Sequence, residues 1–292
     1  PKTRTKSMPA QELPMSQLPM ELWSYRHGRT NRNVASAQFD EGNVSMRSLF
    51  INQPSSIAEL TDEGIMQIQR TRAWLIKNQI QFNRFYTSTY VRALQTVEHL
   101  KLPGAHWKPE DLLKERSNGD LERKSPDERK AFLKTLSNKP HLHDLFNFRP
   151  PNGESFADAE VRWRLFIELL RQECKPTDRV LVVTHAGMMW VERKIEEEWA
   201  PGEFQRHRGR ASHLRMPNGM FLRYTRQNPR NPQDIRPQFG WFQTFCPQLG
   251  KEPGRWHRIK RRLFTTDEIA DMADARLRAA KAIQRKEEMQ AH

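Results

Sequence analysis

Two histidines stand directly beyond stretches that read as β-strands. Met20-Glu21-Leu22-Trp23-Ser24-Tyr25 alternates apolar and polar side chains and runs into Arg26-His27-Gly28. Val180-Leu181-Val182-Val183 is a continuous branched run, as a strand buried on both faces needs, and it runs into Thr184-His185-Ala186-Gly187. Acceptance of a phosphoryl group by a side chain requires a neutral nucleophile, cations around the nonbridging oxygens and an acid for the leaving oxygen. His27 is a candidate for the first role, and the Arg26 guanidinium can pair with two phosphate oxygens at once. Gly28 permits a tight turn and close approach of the backbone, and Thr30 and Asn33 lie within reach as hydrogen-bond donors. His185 is a polar ring at the end of a buried strand, where it must find a partner or a ligand. An Arg-His-Gly tripeptide alone is more often an ordinary strand end, so the remaining chain carries the weight.

The elements that must hold these residues alternate in type. Thr61-Asp62-Glu63-Gly64 leads into Ile65, Ile68, Ala73, Leu75 and Ile76 at helical spacing. Phe82 to Tyr86 reads as a short strand, followed by Thr87 to Thr96 and a helix through about Leu100. Ser155 to Cys174 is a long amphipathic helix that the turn at Lys175-Pro176-Thr177-Asp178 ends. Strands alternating with helices predict an α/β fold with a doubly wound, mostly parallel sheet flanked by helices, its functional loops beyond the carboxyl ends of the strands. Met220 to Tyr224 is expected as one last strand. The chain then carries a basic region that ends in a helix, opened by a capping box at Thr265–Glu268 and reaching about Met289. Ile269, Met272, Ala273, Leu277, Ala280 and Ile283 line one side of that helix.

Charge separates the regions. Residues 201–292 hold 19 Lys and Arg against 9 Asp and Glu, whereas residues 21–200 hold 27 against 25. The expected division is a flexible basic arm over 1–19, a catalytic domain over 20–225 and a basic extension over 226–292. Arginines between Arg206 and Arg236, interleaved with His213, Phe221, Tyr224 and Phe239, together with Arg255, Arg258 and Arg262 around Trp256, suit phosphate contacts and base stacking. RNA or a ribonucleoprotein surface, contacted through residues 202–292, is therefore an expected partner beside a merely basic, soluble surface. Such a role gives a second class of function, an enzyme-derived core serving as a subunit of a large assembly. Cys174 and Cys246 cannot make a disulfide framework and show no zinc-like clustering, so no metal or cofactor is expected. No apolar run approaches the roughly 20 residues of a membrane helix. A cytoplasmic location is the default, with the mitochondrial matrix after removal of a transit peptide as the alternative.

Further motifs occur in order. Arg26-His27-Gly28-Arg29-Thr30-Asn31-Arg32-Asn33 resembles the R-H-G-x-T-x-x-N signature of the histidine phosphatase superfamily, in its phosphoglycerate-mutase-like branch. Thr61 to Gly64 with Gln67, Ser88 to Thr96, Leu113 to Gly119, Gly153-Glu154-Ser155 and Val182 to Gly187 resemble five further segments of that family. The resemblance covers about residues 20–200. It implies a phosphoglycerate-mutase-like fold, phosphorylation of His27, and phosphate binding by Arg26, Arg92 and His185 with help from Asn33. It implies Glu115 as proton donor, with Asp111, Asp120 and Glu122 as neighbouring carboxylates that compete for the role. Ala186 stands where a glycine is usual after the second histidine and joins the substrate-binding set, and the acid loop ends in Arg123 where L-E-G is common. The 70 positions from Glu115 to His185 look short beside the insertion with which mutases enclose their substrate. An open pocket admits water and favours hydrolysis of a phosphorylated small molecule or phosphoprotein over transfer.

Overall fold

The structure is a computed structural model that describes residues 17–40, 53–137, 146–199, 202–209, 216–261 and 263–290. Nearly all of the arm expected over 1–19 lies outside these residues, as do Arg210, His213, Arg215 and Arg262 of the region 202–292 expected to contact RNA.

The strand at the N-terminal end, β1 (Glu21–Arg26), lies in the middle of a seven-stranded sheet. The helices α1 (Asn31–Asp40) and α2 (Asp62–Lys77) follow, then β2 (Arg84–Thr87), α3 (Val91–Leu100), β3 (Trp107–Pro109), α4 (Pro126–Ser137), α5 (Phe156–Glu173) and β4 (Arg179–Thr184). The order across this half is β3-β2-β4-β1, all parallel. After α6 (Ala186–Glu196) and α7 (Glu203–Gly209), β5 (Phe221–Thr225) pairs antiparallel with the free side of β1. A small separate hairpin, β6 (Gln227–Asn228) and β7 (Asn231–Ile235), precedes β8 (Trp241–Phe245) and β9 (His257–Arg258), which extend the main sheet antiparallel. A long helix, α8 (Thr266–Gln290), ends the described chain. The mostly parallel α/β architecture is thus the one expected.

Two apolar layers sandwich the sheet. Leu22, Val180 and Val182 face Trp163, Phe166 and Met188 from α5 and α6. Trp23, Tyr25, Leu181 and Val183 face Ile68, Leu75, Ala93 and Leu100 from α2 and α3. Side chains alternate across a strand, so consecutive residues of β1 and β4 feed opposite layers. The polar alternation in β1 does not mark a solvated face, because the strand is central and its polar side chains are paired. Ser24 Oγ donates to Glu192 Oε1 at 2.8 Å, and Glu21 accepts from Arg223, Arg179 and Trp23. The long helix begins as its sequence implies, with Ser155 and Asp158 forming a reciprocal capping box.

The expected boundary at 225 is corrected by the sheet. Met220–Tyr224 does mark a strand, shifted by one residue, but it is not the last, since β8 pairs with β5 and buries Trp241, Gln243 and Phe245. The intervening hairpin hides this non-local pairing from a sequence reading. Two arginines of the basic region, Arg223 and Arg226, turn inward, while most of its other described cations, Arg261 included, stay exposed. Arg223 binds Glu21, Arg226 donates to the carbonyls of Leu18 and Arg236, and Arg261 pairs with Glu198 at 2.7 Å. Among the described residues, no helix is long and apolar enough to cross a membrane, and Cys174 and Cys246 are buried free thiols.

Candidate active site

Strand register brings the two histidines together. Arg26 of β1 pairs with Thr184 of β4, so the next residues, His27 and His185, leave the same edge side by side with ring centroids 5.1 Å apart. On the other side of β4, β2 ends at the same edge with Thr87 opposite Val183, and the following turn starts α3, which supplies Arg92. His27, Arg92 and His185 are all buried.

Hydrogen bonds set the state of each ring. His27 Nδ1 lies 2.8 Å from the Gly28 carbonyl, an acceptor only, so Nδ1 carries the proton and Nε2 presents a lone pair. Arg92 Nε donates to that Nε2 at 3.1 Å and to His185 Nδ1 at 3.1 Å. The other nitrogen of His185, Nε2, then carries its proton and donates to Ser88 Oγ at 2.7 Å. Burial, followed by the Arg92 charge, holds both imidazoles well below their ordinary range, so both are neutral at pH 7. Arg26 donates through Nη1 to the Met216 carbonyl, while its buried Nε has no acceptor among the described residues. Burial lowers the Arg26 guanidinium to about 10, which leaves it charged at neutrality. A buried donor without an acceptor costs about 1–3 kcal/mol, an unfavourable term that an anion beside His27 would remove.

Glu115 approaches this edge from the loop after a 3-10 turn at Asp111–Leu113. Its carboxylate accepts from Arg116 N at 2.9 Å and from Gly187 N, in the first turn of α6, at 3.1 Å. A Cβ on residue 187 would come within 2.1 Å of Glu115 Oε1, so only glycine admits this contact. Glu154 holds the loop from behind, accepting from Ser117 N at 3.0 Å and from both arms of Arg162. Of the competing carboxylates, Asp111 binds Thr89 and Lys114 at the surface and Asp120 binds Asn152. Glu122 does reach the cavity, tied to Ser55 Oγ at 2.7 Å and to Asn118 N.

The resulting cavity is about 190 Å³ and is lined by five arginines (26, 32, 92, 116 and 129) against two carboxylates, Glu115 and Glu122. Thr30 and Asn33 line it too, yet each first serves the backbone. Thr30 Oγ1 accepts from Asn33 N and Asn33 Oδ1 from Thr30 N, a reciprocal cap on α1. Gly28 adopts no positive φ, and its lack of a Cβ serves packing, since one would lie 2.8 Å from the Gly64 carbonyl. Ala186 is corrected, because it does not line the cavity and packs against the apolar layer of α5 and α6. His185 sits behind His27 and Arg92, outside the cavity wall. Sequence reasoning missed Arg32, Ser55, Arg116, Asn118 and Arg129 in that wall, and Asn218, whose amide donates to the carbonyls of His27 and Gly28. Arg116 and Asn118 could have been inferred from their places in the acid loop, whereas Asn218 has no local signal.

Comparison with known proteins bears on this geometry. A family profile described as the histidine phosphatase superfamily (branch 1) matches residues 22–215. The 2,3-bisphosphoglycerate-dependent phosphoglycerate mutase of Azorhizobium caulinodans is 28% identical over 148 residues, 49% of this chain and 71% of that protein. The protein of the same name from Rhizobium etli is 28% identical over 137 residues, 45% of this chain and 64% of that one. Among solved structures, the alpha-ribazole phosphatase of Shigella flexneri superposes with a TM-score of 0.55 at 21% identity, covering 74% of this chain and 95% of that one. A mycobacterial glucosyl-3-phosphoglycerate phosphatase with inorganic phosphate superposes with a TM-score of 0.55 at 18% identity, covering 78% and 99%. At these identities the superpositions establish the shared fold.

Proposed function

Because the chain belongs to the histidine phosphatase superfamily, branch 1, we propose that it is a phosphomonoester hydrolase that works through a phosphohistidine on His27. The observation that carries this reading is the His27 ring itself, pinned by Nδ1 to the Gly28 carbonyl, neutral, and offering Nε2 beside Arg92 and His185. An incoming phosphate draws the Arg92 Nε–H onto its own oxygens, which frees the Nε2 lone pair for attack. The Nε2–P bond forms as the P–O ester bond breaks, and Glu115 delivers its proton to the leaving oxygen. Water then attacks phosphorus, Glu115 takes up the proton, and His27 is released with inorganic phosphate. Arg26 and Arg92 supply the positive charge on the nonbridging oxygens, so the reaction proceeds without a metal ion.

The substrate is a phosphorylated small molecule, in keeping with a cavity of about 190 Å³. The relatives named as mutases favour a second reading, transfer of the phosphoryl group back to a phosphoglycerate. The short span between Glu115 and His185 favours hydrolysis. Purified protein is expected to release phosphate from p-nitrophenyl phosphate in the presence of a chelator, and His27→Ala is expected to lower this by about 10⁴-fold or more while remaining folded. A parent protein with no turnover would falsify the proposal. Turnover of 3-phosphoglycerate only when 2,3-bisphosphoglycerate is added would favour the mutase. For RNA or ribonucleoprotein contact through residues 202–292, the exposed Arg255, Arg258 and Lys260 around Trp256 form one cluster to test among the exposed cations of this region. Such binding should weaken with salt, and replacing all three by glutamine should lower both the affinity and its salt dependence.

A further inference from the structure

The helix α8 starts with a reciprocal cap, Thr265 Oγ1 accepting from Glu268 N and the Glu268 carboxylate accepting from Thr265 N at 2.9 Å. From Thr265 to Ala282 every side chain except Glu268 and Met272 is exposed, so this stretch of the helix packs no continuous face against the described residues. Helices in water draw most of their stability from packing an apolar side. That side exists here, with Ile269 at 52% exposure and Leu277 at 58%, joined by Met272, Ala273 and Ala280.

The charges along the same helix are segregated. From Asp267 to Lys286 the signs fall in two blocks, Asp267, Glu268, Asp271 and Asp274 and then Arg276, Arg278, Lys281, Arg285 and Lys286, while Glu287 and Glu288 in the last turn lie beyond the overlap proposed below. The helix macrodipole favours such a bias only in the first and last turns. Here the signs change at mid-helix, between Asp274 and Arg276, where the macrodipole has little effect.

We infer that α8 pairs antiparallel with α8 of a second copy of this chain. In that orientation the acidic half of each helix lies along the basic half of the other, with a twofold axis near Ala275 and Ala273 facing Leu277. A parallel pair would set acids beside acids and cations beside cations. Nucleic acid and anionic lipid are disfavoured by the acidic half. The helix is about 37 Å long and its apolar seam is narrow beside the roughly 800 Å² per partner of a stable interface. The pair is therefore reversible and salt-sensitive, with a dissociation constant on the order of 10 μM.

Sedimentation of the full chain tests this. Between about 1 and 200 μM in low salt it should pass from monomer to dimer, and Leu277→Asp should stay monomeric with turnover unchanged. A variant carrying Arg276→Glu, Arg278→Glu, Lys281→Glu and Arg285→Glu, and one carrying Asp267→Lys, Asp271→Lys and Asp274→Lys, should each be monomeric alone and dimerise when mixed. Orientation is read by oxidative cross-linking, where Ala270→Cys should couple to Ala280→Cys and not to itself. A parent chain that stays monomeric throughout, or a dimer indifferent to Leu277→Asp, would overturn the inference.

Discussion

Arg92 on α3, at the candidate active site, and Arg223 on β5 are the same residue type, yet their charges are treated in opposite ways. Arg223 donates to both oxygens of Glu21, at 2.9 and 3.1 Å, and lies over the ring of Trp23. Burial alone would raise the Glu21 carboxyl, but Arg223 and Arg179 hold it below its ordinary value, so Glu21 carries its negative charge at neutrality. Arg92 instead donates to two neutral imidazoles and to the Ser55 carbonyl, with no carboxylate within hydrogen-bond reach among the described residues. A compensated buried cation is structure, whereas an uncompensated one favours an anionic ligand. Counts of basic residues do not distinguish the two.

Methionine at each position separates the roles. Arg92→Met is expected to lower kcat/KM by about 10³-fold with thermal stability unchanged or improved, as an unmatched buried charge disappears. Arg223→Met should leave turnover within about 3-fold and cost roughly 3 kcal/mol in a denaturant titration, because Glu21 stays buried without its main partner. If both variants lost activity alike at unchanged stability, the contrast would be wrong. A smaller effect is expected from Gly187→Ala, whose methyl displaces the Glu115 carboxylate. Turnover of an alkyl phosphate should fall about 10- to 100-fold, while an aryl phosphate, whose leaving group needs no acid, should be little affected.

Buried groups whose desolvation outweighs any countercharge respond by giving up their own charge, which has a signature in pH. His27 and His185 are held neutral in the fold by burial and Arg92, so below about pH 6.5 the unfolded chain binds protons that the native protein does not. Stability should fall as pH drops below that value, by up to about 2.7 kcal/mol per unit while both rings differ. Activity should share this acid limb once the fold is lost. Glu196, raised to about 7 mainly by burial, acts in the opposite sense. Between pH 4.5 and about 7 the native protein keeps a proton that the unfolded chain has lost, and stability declines with rising pH. Glu196→Gln retains the acceptor for Trp163 Nε1 and should stabilise the protein at pH 8, on the order of 1–3 kcal/mol, but not at pH 4. Equal effects of that substitution at both pH values would mean that repacking, and not titration, is responsible.

What the chain's local pattern conveyed was periodicity and punctuation. The continuous Val180–Val183 run, the Ser155 cap and the ends of β1 and β4 were all readable, because alternation, capping and helical spacing act between residues near in sequence. The order of the motifs likewise supplied His27, Arg92, Glu115 and His185 before any geometry was known. Gln67, Gln95 and Thr96 belong to those motifs too, but the structure assigns them to loop support, accepting from Arg29 N, Leu60 N and Gly28 N. No local rule reveals that Trp241–Phe245 is a strand of the main sheet, that Asn218 steadies the His27 loop, or that Arg223 belongs to Glu21, 202 residues away. Each of these depends on one surface meeting another after the chain has folded back. Residue type and spacing therefore determined which groups could do the chemistry, and tertiary structure alone decided which charges were left unmatched to do it.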